Sequence, residues 1–404
     1  MLPPVLDIHL VWHPDDDLKA RPIAEAIIDH YQGDCFSGLL GGAVEVFVRS
    51  AGWHGPGSAP RPVPLPGDAG PVRSAARVVV LALLGPGLAA ATGRSGPWSD
   101  WLEQVRDVAE ARPAEVRLWG LALCRSAVTS TGLQSLFADR QLLASPDVMN
   151  DADDTMLMRD LSQSLTQFLR GSSQPIQVFI SHSKHMDPGT EQAIKALVAT
   201  VRMEVLKTRL AEFFDSAAIQ TGDDWAAVLK RNAADGAMLC LRTDSYAGRE
   251  WCHREVVTAK LNGVPVVALD ALQRGDGRGS FLLDHIPRVP ARRKKKRWSK
   301  HSIREALLRL VDECLKRALW QHQEILARGL TPVSWWAPHA PEPLTLADRL
   351  TTHRPVAGQP LVILHPDPPL TPCERQALGT VAALAGIPAD TLDILTPRTL
   401  SARS

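Results

Sequence analysis

The sequence predicts an α/β protein of tandem units, each a parallel β-sheet flanked by helices. Three observations carry that expectation. Short apolar, β-rich runs alternate with segments of helical spacing along most of the chain. The same order of elements starts again after Gly-Ser-Ser-Gln-Pro at 171–175. Three times an apolar strand runs into a histidine-containing polar loop: WHPD at 12–15, SHSKHMD at 181–187 and HPD at 365–367. Such repetition reads as successive flavodoxin-like units, the last incomplete.

In chain order, strands are expected at 8–12, 44–48, 77–84 and 117–124, with helices at 22–31 and 98–111 between them. A helix at 151–170 follows, carrying an apolar stripe of Met158, Leu161, Leu165, Phe168 and Leu169. After the linker come strand 176–180, helix 190–206, strand 211–214, helix 225–234, strand 237–242, helix 251–261 and strand 264–269, closed by a long helix at 302–328. A strand in 360–371, a helix at 372–385 and a strand at 392–395 form the last echo. The domains read as an accessory unit at 1–150, a linking helix and linker at 151–173, a central unit at 174–328 and a small α/β module at 342–404.

At 404 residues the chain is too long for one ordinary core. Forty-five Lys and Arg against 44 Asp and Glu leave a net charge of +1, so no whole-chain field favours nucleic acid or an anionic membrane. The six cysteines stand singly, as reduced thiols in a cytoplasm would. The most apolar run, 78–91, is shorter than the roughly 20 residues of a membrane span and is broken by Gly85-Pro86-Gly87. No membrane association is expected.

LVWHPDDD at 10–17 resembles the metal-binding loop of zinc-dependent deacetylases. Only His30 and His54 are near enough to supply a second histidine, so Asp15–Asp17 read instead as a helix start. The spacing of His182 and His185 lacks a third ligand, and no metal site is expected. The basic run ARRKKKRWSK at 291–300 reads as a solvated loop, and nucleic acid is not expected as a partner.

The central unit carries the chemistry. Trp251 and Glu255 lie one helical turn apart, which aims an aromatic plane and a carboxylate the same way. Loops leaving the carboxyl ends of parallel strands gather ligands, and 181–187 and the segment after Phe214 are such loops. VFISHS at 178–183, FFDSAAIQTGDDW at 213–225, Ser245-Tyr246 and WCHREVV at 251–257, in this order, resemble the Toll/interleukin-1 receptor (TIR) domain family over about 174–325. The resemblance implies cleavage of the nicotinamide–ribose bond of NAD+, which is a substrate and not a cofactor. It implies Glu255 as the catalytic carboxylate. Phe179, Ser181, His182, Lys184 and Trp251 would line the substrate site. Asp215 either holds substrate or caps a turn.

Activation by self-association through TIR–TIR contacts and a role in bacterial antiviral defence are implied in the same way. The alternatives are a non-catalytic TIR adaptor and a cyclase that makes a cyclic ADP-ribose signal. Residues 1–150 lack the Trp-x-x-x-Glu spacing, since Trp98 is followed four later by Leu102 and Trp101 by Val105. That unit is expected to be TIR-like without catalysis and to serve as a sensor, a scaffold or a partner surface.

Overall fold

The computed structural model describes the chain apart from residues 1–3, 34–35, 37–42, 51, 53, 56, 69–73, 138–141, 146–147, 149–153, 184–189, 209, 213–235, 276–278, 296, 329–331, 354–358, 389–390 and 404. By internal contacts it divides into two compact units. One is Met1–Leu161 with Leu319–Arg328 and Ser401–Ser404, the other Ser162–Ala318 with Gly329–Leu400.

In the first unit, β1 (Leu6–Val11), α1 (Asp17–Gln32), β2 (Val44–Val48), β3 (Arg77–Leu84), α2 (Pro86–Thr92), α3 (Pro97–Ala111), β4 (Val116–Ala122), α4 (Arg125–Val128), α5 (Thr131–Phe137) and β5 (Leu142–Ala144) follow one another. The sheet runs β2-β1-β3-β4-β5 and every pair is parallel. This 2-1-3-4-5 order is the flavodoxin-like one. A parallel sheet covered on both faces needs strands apolar on both sides. Accordingly β1 is buried throughout and β3 from Val78 to Leu84. Trp98, Trp101 and Leu102 of α3 pack on β3 and β4.

The His-Pro-Asp-Asp stretch is a structural joint. His13 Nδ1 accepts from the Asp15 amide at 3.2 Å, and its ring tilts against Trp98 at 5.0 Å. The buried carboxylate of Asp16 accepts from the Gly87 and Leu88 amides at 2.8 Å each. Asp16 thus fills the start of α2, where an anion is favoured by unpaired amides. A β-carbon on Gly85 would lie 2.3 Å from that carboxylate, so glycine is required there. Gly85-Pro86-Gly87 is therefore a helix start, and α2 precedes α3, where the sequence predicts only the helix at 98–111.

After α6 (Thr155–Arg170), the second unit repeats the pattern with β6 (Gln177–His182), α7 (Glu191–Leu206), β7 (Ala211–Glu212), β8 (Gly236–Arg242), α8 (Glu250–Leu261), β9 (Val266–Asp270) and β10 (Arg288–Pro290). The order is β7-β6-β8-β9-β10, again 2-1-3-4-5 and parallel. The expected helix 225–234 lies outside the described residues. The strands β5 and β10 have three residues each, too few to show a period; Pro290 fits an edge strand, where no ladder donor is needed.

The basic run differs from the sequence expectation. It forms an antiparallel hairpin of β11 (Arg293–Lys294) and β12 (Arg297–Trp298), not a loop, and leads into α9 (Lys300–Ala327). The remainder has its own parallel sheet, β13 (Trp335–Trp336), β14 (Leu361–Leu364) and β15 (Leu392–Leu395), ordered β13-β14-β15, with α10 (Pro343–Thr352) and α11 (Pro372–Leu384). It joins the second unit's core at the end of α8. Lys260 Nζ donates to Glu342 Oε2 at 2.7 Å and to the Asp284 carbonyl at 2.8 Å, and all but the rim of this pair is buried. Among the described residues no helix is long and apolar enough to cross a membrane.

Asp16→Ala leaves two amides of α2 without their acceptor and is expected to destabilise the protein by about 1–2 kcal/mol. Chemical denaturation monitored by circular dichroism measures it; an unchanged midpoint would show that water replaces the carboxylate without loss.

Candidate functional site

Ser181 stands near the carboxyl end of β6, in register with Cys240 on β8. Phe179 and Ser181 are two residues apart and share one sheet face. That face is covered by α8, through Cys252 and Val256, and by Tyr246 from the turn after β8. The chain reaches α8 through the short turn Tyr246–Gly248, which brings the helix start to the same edge as Ser181.

Glu255 lies inside this packing, 4% exposed. The Ser181 hydroxyl donates to Glu255 Oε2, and the Tyr246 hydroxyl lies 2.8 Å from Ser181 Oγ. A buried carboxylate needs such donors, because its desolvation is otherwise costly. Burial drives the Tyr246 hydroxyl well above its usual titration range, so it stays a neutral hydrogen-bonding group. Trp251, one turn earlier, is 52% exposed. The helix thus carries an exposed aromatic one turn before a buried carboxylate.

The other expected residues separate. Phe179 is a core residue, packed with Met238 and Tyr246 and 4% exposed. His182 is half-buried at the strand end, with Nδ1 3.3 Å from the Ser183 carbonyl. Lys184 and Asp215 lie outside the described residues. Tyr246 was not singled out from sequence as a site residue. Its signal was available: it is one of two tyrosines in the chain and stands four residues after the end of the third strand of its sheet.

Two thiols flank the carboxylate. Burial pushes Cys240 and Cys252 up to about 12, and the nearby charge of Glu255 acts in the same direction. Neither is a nucleophile at neutral pH, since the thiolate is the reactive form. Elsewhere on the edge, Arg242 pairs with Asp270 across adjacent strands at 3.2 Å. Asp244 accepts from the Gln273 amide at 2.8 Å, which fixes the loop after β9 against the turn after β8. At the opposite end of α8, a cavity of about 380 Å³ is lined by Lys260, Glu342, Arg309, Lys316, His339 and Asp367 among others.

No family model matches the chain, and no curated protein matches it. Among solved structures, the tagatose-6-phosphate ketose/aldose isomerase from Escherichia coli is similar over 78% of this chain and 83% of its own, at 12% identity and a TM-score of 0.19. A likeness that slight carries no argument about function.

In the folded protein, iodoacetamide at pH 8 is expected to label the exposed Cys373 and to spare Cys240, Cys252 and Cys314. Peptide mass mapping reads the pattern. Rapid labelling of Cys240 or Cys252 would mean that the packing around Glu255 is open to solvent.

Proposed function

We propose that the central unit is a TIR-type NAD+ glycohydrolase with Glu255 as its catalytic carboxylate. The observation that supports this best is a hydrogen-bonded carboxylate at the carboxyl edge of a 2-1-3-4-5 parallel sheet, with a half-exposed tryptophan one turn before it. The TIR-like motifs in the sequence name the reaction; the edge geometry suits it.

Cleavage breaks the bond between the ribose C1′ and the pyridinium nitrogen. The bonding pair leaves with nicotinamide, which becomes neutral, and positive charge grows on the ribose as an oxocarbenium ion. Water then attacks C1′ and loses a proton, giving ADP-ribose. Glu255 supplies the fixed negative charge that stabilises this transition state. Ser181, held between Tyr246 and Glu255, is a positioning residue that orients the carboxylate. Trp251 offers a flat face for the nicotinamide or the ribose.

In the first unit the third strand leads into α2, whose first amides are already taken by Asp16. This favours a partner-binding role for residues 1–150 over a second active site. By the TIR resemblance, turnover requires self-association, and the setting is cytoplasmic antiviral defence. One observation favours a non-catalytic adaptor: Glu255 is as deeply buried as a purely structural carboxylate.

The decisive measurement is release of nicotinamide from NAD+ at high protein concentration, resolved chromatographically from ADP-ribose and cyclic ADP-ribose. Glu255→Ala is expected to lower turnover by roughly 10²-fold or more, and Ser181→Ala to lower it less. Absence of nicotinamide at every concentration, or equal release by Glu255→Ala, would leave the adaptor reading. A cyclic product would identify the cyclase.

A further inference from the structure

We infer that the β11–β12 hairpin is a docking surface for the phosphate backbone of nucleic acid. Arg292, Arg293, Lys294, Lys295, Arg297 and Lys300 are all exposed, and no acidic residue occurs between Asp284 and Glu305. Arg292, Lys294, Lys295 and Arg297 form no ion pair among the described residues. In a chain of net charge +1 this is a concentrated exception.

The hairpin is anchored where a solvated loop would not be. Trp298 is buried in the core formed with Ile303 and Leu307, and its indole N–H donates to the Ala193 carbonyl at 2.8 Å. The Arg293 guanidinium lies over the Trp298 ring at 5.5 Å and donates to Gln273 Oε1 at 2.8 Å. The Ser299 amide closes back on the Arg292 carbonyl at 2.8 Å.

One feature of this anchored segment opposes its own stability. Lys294 and Arg297 stand directly opposite each other, and like charges in that position repel. Lys295 adopts φ 47°, the left-handed conformation that a two-residue hairpin loop requires at its first position, so the turn holds the two cations at close quarters. A phosphate between the two strands relieves the repulsion.

The chemistry of the surface selects the partner. Residues 292–297 contain no apolar side chain to insert into a bilayer, and the nearby aromatic is turned into the core. Hot spots of protein interfaces combine Arg with aromatic anchors, and residues 292–297 contain no aromatic residue. Phosphate backbones need only a rigid array of Arg and Lys, without base readout.

The test uses the full chain with a 20-base-pair DNA duplex of arbitrary sequence, the matching RNA duplex, polyglutamate, and phosphatidylserine vesicles. Binding to one or both duplexes is expected to weaken about 10²-fold between 50 and 200 mM salt, for roughly four phosphate contacts. Lys294→Gln/Lys295→Gln/Arg297→Gln is expected to bind at least about tenfold more weakly and with a flatter salt slope. Lys294→Glu separates the role from structure, because pairing with Arg297 raises the melting temperature while duplex affinity falls. Tighter binding of polyglutamate or vesicles than of either duplex, or unchanged duplex affinity in both variants, overturns the inference.

Discussion

A parallel pair of strands cannot be joined by a tight turn, so consecutive strands of this kind need a long crossover. The crossover is a helix between β1 and β2, β3 and β4, and β6 and β7, and a longer loop between β9 and β10. That constraint sets the rest of the architecture. Helices must cover both faces, strands such as β3 become apolar on both sides, and the loops that leave the strand ends collect along one edge. The two larger sheets obey it in the same 2-1-3-4-5 order, and the three-stranded sheet obeys it on a smaller scale.

The carboxyl edge is where both larger sheets place a buried carboxylate, and each resolves its desolvation differently. Asp16 accepts two backbone amides and becomes a brace between the loop after β1 and the start of α2. Glu255 accepts a side-chain hydroxyl, which is backed by a second hydroxyl from Tyr246. Backbone amides lock Asp16 into the fold. Hydroxyls can turn, so the environment of Glu255 is the one of the two that chemistry could use.

The helix that carries Glu255 also carries, at its far end, the ion pair that docks the three-stranded module. Lys260 and Glu342 are both largely withdrawn from water, and removing either partner would strand the other. The proposed active centre and the docked module therefore share one rigid element. The basic hairpin lies outside this logic. It is held by a core tryptophan, yet among the described residues Arg292, Lys294, Lys295 and Arg297 form no ion pair, so its field is available to a partner.

Sequence alone determined the α/β class, the repetition, and the place of most strands and helices, because apolar period is written in consecutive residues. It also determined that Trp251 and Glu255 lie one turn apart on one helix, since that depends only on helical spacing. The three-residue strands β5 and β10 escaped, being recruited to sheet edges by neighbours and not by any pattern of their own. So did the roles of Asp16, Tyr246 and the basic run. The partners of Asp16 lie 71 and 72 residues away, Ser181 and Glu255 are 74 apart, and the Trp298 anchor reaches back 105 residues. Contacts that distant in sequence are decided by packing, which only the tertiary structure specifies.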